Sequence, residues 1–167
     1  MRKHSWIVAL VAVAMTLVPE TALASTLSTS DDGPVAFGGG HYTVTGHSSF
    51  FIFTAKANET GGATGRLIWA SAPYAYDALI NCLVVVGGNA FMSGYITHSN
   101  DPQVPPGSSV DFGVKDDDAS PRSVDLISQV DFRFNEICTT FHEPPIYPLD
   151  RGLIEVRRGD PDITAAH

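Results

Sequence analysis

"INCLVVVGGNAFMSGYITHS" at residues 80–99 is the most informative stretch of the chain for its architecture. Two apolar arms flank Gly87, Gly88 and Asn89. A phosphate-binding loop would need glycines that open a helix, with Lys-Ser/Thr or a GxGxxG spacing. The residues after the glycine pair, "NAFMSGYIT", carry aromatics in period two and no basic residue, so the stretch reads as a β-hairpin. A type I′ turn at Gly87-Gly88 or Gly88-Asn89 fits, because Gly and Asn accept positive φ at low cost. Strand parity then puts Cys82, Val84, Val86, Phe91 and Tyr95 on one face and Leu83, Val85, Met92 and Ile96 on the other. Both faces are apolar. One is expected to meet the core, and the proline-rich segment 138–149 is expected to cover the other.

The same period of two recurs on either side of this hairpin. It marks strands at 41–46, 49–57, 66–71, 78–86, 90–98, 108–116, 124–134 and 152–158, each bounded by Gly, Pro, Asn or Asp. "SSVDFGVKD" (108–116) alternates most cleanly, with Val110, Phe112 and Val114 against Asp111, Gly113 and Lys115. Short connections favour a meander. The predicted fold is all-β, an eight-stranded antiparallel meander closed as a barrel or a barrel-like sandwich. A barrel of that size is either filled by side chains or holds one small ligand.

The first 24 residues read as a signal peptide: Arg2 and Lys3, an apolar run at 6–18, then Ala22 and Ala24 at the cleavage positions. That run is shorter than the roughly 20 residues of a membrane span. Residues 25–37 are read as a flexible lead-in, 38–159 as a single β domain and 160–167 as a frayed tail. No stable membrane anchor is expected. The expected location is secreted and extracellular, in a bacterial setting.

In an exported chain the two cysteines, Cys82 and Cys138, most simply form one disulfide. Closing a loop of that length removes denatured-state entropy equivalent to about 4 kcal/mol. The charge balance is acidic, 18 Asp and Glu against 10 Lys and Arg, for a net charge of −8. Nucleic acid, whose phosphates need a basic stripe, is excluded as a partner.

Few motifs bear chemistry. In "VKDDDASPRSVD" (114–125), Asp116, Asp118 and Asp125 could offer oxygens to Ca²⁺, although the EF-hand pattern is missing. A solvated acidic loop is the favoured reading, and no cofactor is expected. His41, His47, His98 and His142 lack the close spacing of zinc ligands and read as surface histidines. "GHSSF" (46–50) is not a nucleophile elbow, and no helix is expected after it. The acidic residues sit mostly in loops or on solvent-facing strand positions, where they form no paired-carboxylate cleft. "RGD" (158–160) and the sequon "NET" (58–60) are short matches without support. Trp69, Tyr74 and Tyr76 in "WASAPYAYDA" read either as a packed loop over a barrel end or as an aromatic patch at a pocket mouth.

The glycine-rich "GGGHYTVTG", the Phe-x-Phe-x-Ala strand in "FFIFTAKANETGGATGRL", the Cys-Leu-x-Val-x-Gly-Asn hairpin and the "VDLIS" that ends the acidic loop resemble a group of small secreted bacterial all-β proteins. The likeness covers most of residues 38–159. The group is functionally uncharacterised, so the resemblance implies a fold and carries over no catalytic residue. Two stretches depart from it: "KDDDASPRSVDLIS" lacks the group's Asn-Gly-rich wording, and 69–78 is more aromatic. The expected function is a secreted, non-enzymatic β domain with a binding, structural or interaction role outside the cell, toward an extracellular partner or small ligand. The alternatives are a β-barrel carrier of a small apolar ligand and a small secreted hydrolase.

Overall fold

A computed structural model describes residues 33–117, 124–132 and 144–159. Eight strands run β1 (Val35–Val44), β2 (His47–Ala57), β3 (Ala63–Ser71), β4 (Tyr74–Val86), β5 (Asn89–Ser99), β6 (Ser109–Lys115), β7 (Leu126–Ile127) and β8 (Tyr147–Arg157). Each pairs antiparallel with its neighbour in sequence, and β8 returns to β1 to close a barrel in chain order. The strands therefore form a barrel and not a sandwich, and no helix occurs among the described residues. Closure leaves no unpaired sheet edge along the β1–β8 seam.

The interior is packed. Phe51, Phe53, Leu67, Met92, Ile96 and Phe112 are at most 2% exposed. An aromatic column runs through them, with Phe51 stacked on Phe53 at 6.1 Å and Phe53 edge-on to Phe112 at 5.6 Å. The alternation of β2 explains this directly: Ser49, Phe51, Phe53 and Ala55 are buried while Phe50, Ile52, Thr54 and Lys56 face out.

The hairpin at 80–99 forms as expected, with Val86 opposite Asn89 across Gly87-Gly88. Of the two glycines only Gly87 has a positive φ, 65°, the pattern of a II′ turn and not of the expected I′. Parity holds on the inner face, where Leu83, Met92 and Ile96 are buried. It changes phase at a bulge: Ile80 pairs with Gly94 and Cys82 with Ser93, leaving Asn81 without a partner position. One extra residue in β4 brings both Ile80 and Leu83 to the core. Gly94 permits this crossing, because a Cβ there would lie 1.9 Å from the Leu79 carbonyl oxygen.

Several expectations need correction. The lead-in expected through residue 37 stops earlier, since β1 starts at Val35 and pairs on both sides. Residues 69–78 are not a packed loop: they belong to β3 and β4, joined at the cis Ala72–Pro73 bond. The strand expected over 124–134 shrinks to Leu126–Ile127 plus a bridge between Asp111 and Asp131. The physical reason is a side chain that replaces backbone. Ser128 Oγ accepts the Gly113 N–H at 2.8 Å and donates to the Gln129 carbonyl, and an extra residue separates Ile127 from Asp131.

The cover expected over the outer face of the hairpin fails for the part that can be seen. Tyr147–Leu149 form the start of β8, between β7 and β1. Pairing with β7 and β1 makes this stretch a strand despite its prolines. Val86 and Tyr95, on that outer face, are 61% and 42% exposed. Residues 138–143 of the segment, Cys138 among them, lie outside the described residues, as do Asp118 and His142.

Candidate functional site

An up-and-down barrel gathers the same ends of alternate strands. One end of this barrel carries the β1–β2 turn, the β3–β4 turn, the β5–β6 loop and the stretch after β7. Between them lies a pocket of about 780 Å³. It sits above the packed interior and not within it: Tyr42, in its floor, touches Phe51 of the core edge-on at 5.9 Å.

Its walls are aromatic. Trp69 lies 5.2 Å from Tyr76 and 5.3 Å from Phe132, and Tyr76 and Phe132 are 4.1 Å apart, all between ring centroids. Tyr42 and Tyr147 stack at 6.4 Å. The Trp69 indole Nε1–H donates to the Tyr42 hydroxyl at 3.1 Å, tying β3 to β1 across β2. Burial pushes the Tyr42 hydroxyl above the ordinary tyrosine range, against the lowering effect of hydrogen bonds with Trp69 and Ser49.

Polar groups are set into this aromatic wall. The Tyr76 hydroxyl donates to Asp101 Oδ2 at 2.7 Å, and the Gln103 N–H donates to Asp101 Oδ1 at 2.8 Å. Burial first, and then the Asp101 carboxylate, drive the Tyr76 pKa well above its usual value. The loop bearing Asp101 is held by its neighbours. Ser99 Oγ accepts the Asp101 N–H, Asn100 Oδ1 accepts the Ala75 N–H, and Asn100 Nδ2 donates to the Pro73 carbonyl. "SNDP" thus clamps the β5–β6 loop to the β3–β4 turn. Val104, 5% exposed, fills the space beneath. His47, Gln129 and Asp131 complete the polar lining.

The residues singled out from sequence divide cleanly. Trp69 and Tyr76 are brought together at the pocket, whereas Tyr74 is 40% exposed and outside it. Asp116 and Asp125 serve strand β8. Asp116 Oδ2 accepts the Val156 N–H at 3.0 Å, and Asp125 accepts from Ile154 at 2.7 Å and from Asp117 at 3.2 Å. No cluster of three metal-ligating side chains occurs among the described residues. His41 on β1 lies beside Phe50 and Arg151, His98 is exposed on β5, and His47, of the three described, lines the pocket. Asn58 of the sequon organises its own turn by accepting from Thr60 and Gly62. Arg158 donates to the Gly87 carbonyl at 3.3 Å, so the first residue of "RGD" packs on the β4–β5 hairpin.

Sequence reasoning missed Tyr42, Asp101, Phe132 and Tyr147. Their signal was topological. In a meander the end of β1, the start of β4 and the loop after β5 must meet, so aromatic and acidic residues at those positions belong together. Comparison of the chain with protein-family models, with curated proteins and with solved structures finds no match.

Proposed function

We propose that the chain is an exported, non-enzymatic binding domain that holds a small ligand in the aromatic pocket at the barrel end. The observation that carries this reading is the pocket itself, a recess of about 780 Å³ walled by Trp69, Tyr76 and Phe132 over a filled interior. Its size falls within the range of small-molecule sites, and its mix of apolar walls with a few placed polar groups is their usual chemistry. Export rests on the leader-like residues 1–24, and with it comes the proposal that Cys82 pairs with Cys138.

A carrier that swallows an apolar ligand into the barrel is less well supported, because Phe51, Phe53, Phe112 and Met92 occupy that space. The hydrolase reading is less well supported: in the described lining of the pocket, Ser49 is hydrogen-bonded to Tyr42. Native mass spectrometry of the protein from its own culture medium tests the proposal. The expected result is a bound small molecule that is lost from Trp69→Ala and Phe132→Ala variants. Retention of the same species by both variants, or a preparation with no bound species, contradicts it.

A further inference from the structure

We infer that the pocket selects a small organic cation, an ammonium group borne on an apolar body; this rests on the binding reading above and names its ligand class. The walls come first. Aromatic ring faces carry the negative lobe of the ring quadrupole, and a cation over them is attracted within about 6 Å of the centroid. Trp69, Tyr76 and Phe132 form one continuous aromatic surface, with centroids 4.1 to 5.3 Å apart, and Tyr42 with Tyr147 adds a second pair.

The charges point the same way. Asp101 and Asp131 line the pocket, and no Lys or Arg does among the described residues. Asp101 is 9% exposed, and the two donors to its carboxylate, the Tyr76 hydroxyl and the Gln103 N–H, are neutral. They fix the carboxylate without cancelling its charge. Away from bulk water that charge acts over a longer range. The chain as a whole, at −8, steers cations toward it and anions away.

An anionic ligand would meet the Asp101 carboxylate, whose two donors are neutral. A neutral saccharide could stack on the same rings and bond to Gln129, yet it brings no charge to set against Asp101. A quaternary ammonium satisfies both features at once. Its methyl groups pack on the rings, and its charge faces the carboxylates.

The test uses the full chain carrying Trp6→Phe, which leaves Trp69 as its only tryptophan and a fluorescence reporter inside the pocket. Choline, its uncharged isostere 3,3-dimethylbutan-1-ol and glucose are titrated separately. Choline is expected to bind roughly tenfold more tightly than the alcohol, and added salt to narrow the gap. Asp101→Asn, which can still accept from Tyr76, is expected to remove most of that preference. The isostere comparison stands even if that variant does not fold. Equal or tighter binding of the alcohol or glucose overturns the cation inference while leaving the pocket as a binding site. Absence of any Trp69 response to all three probes overturns both.

Discussion

Tyr76 and Asp101 show how a single contact joins stability to the site. Tyr76→Phe removes the donor to Asp101 Oδ2 and leaves a buried carboxylate oxygen short of a partner. A loss of about 1–3 kcal/mol is expected in urea unfolding. The same contact sets a pH dependence. The folded state holds the Tyr76 proton more tightly than the unfolded chain, whose tyrosines titrate near 10. Stability from this group is therefore complete below that pH and declines as pH rises above it. The Tyr76→Phe variant is expected to lose less on going from about pH 9 to 11 than the parent. Asp125 makes a different point. The carboxylate offered by sequence to Ca²⁺ instead accepts the Ile154 and Asp117 amides, so Asp125→Ala is expected to destabilise by about 2 kcal/mol. Calcium is expected to leave the parent Tm unchanged, which differential scanning calorimetry reads directly. Trp69 and Tyr76 were legible as a candidate site because aromatic residues crowd one short stretch. Tyr42 and Phe132 were not, because they lie far apart in sequence and only the fold makes them neighbours of the same pocket.

The strands themselves were legible wherever alternation was regular. β2 follows an inside–outside pattern and β6 does so except at the buried Gly113, and their positions were readable to within a residue or two. Reading failed where a side chain or an extra residue interrupts the period. Ser128 takes over a ladder bond from the backbone, so a pattern that continued in sequence ends as a strand after Ile127. Asn81 shifts the β4 register in the same way, and its signature is Gly94 on the facing strand. Gly87 and Gly94 of this hairpin thus have separable roles. Gly94→Ala drives a Cβ into the Leu79 carbonyl and is expected to destabilise by more than about 2 kcal/mol. Gly87→Ala meets no atom closer than 3.8 Å and carries only the strain of positive φ, about 1–2 kcal/mol. Denaturant midpoints of the two variants check this order.

The whole molecule is a filled barrel with its one large aromatic recess, among the described residues, at an end. Closure follows from eight strands that bury one face each, but the choice between barrel and sandwich lay beyond the sequence. It depends on β1 meeting β8, two segments more than a hundred residues apart that carry glycines at their contact, Gly40 opposite Gly152. The filled interior has an energetic corollary: Phe112→Ala is expected to cost about 3–5 kcal/mol. The outside of the seam offers a competing place for an apolar ligand, a shallow groove where Gly38–Gly40 lie beside Phe50, Ile52 and Leu153. That competition makes binding at the barrel end directly measurable. In a ¹H–¹⁵N correlation spectrum of the full chain titrated with choline, the largest shifts are expected at the Trp69 indole N–H and the amides of Asp101, Gln103 and Phe132. Shifts centred on Gly38–Gly40, Gly152 and Leu153, with the Trp69 indole unmoved, would place the ligand at the seam and refute a binding site at the barrel end.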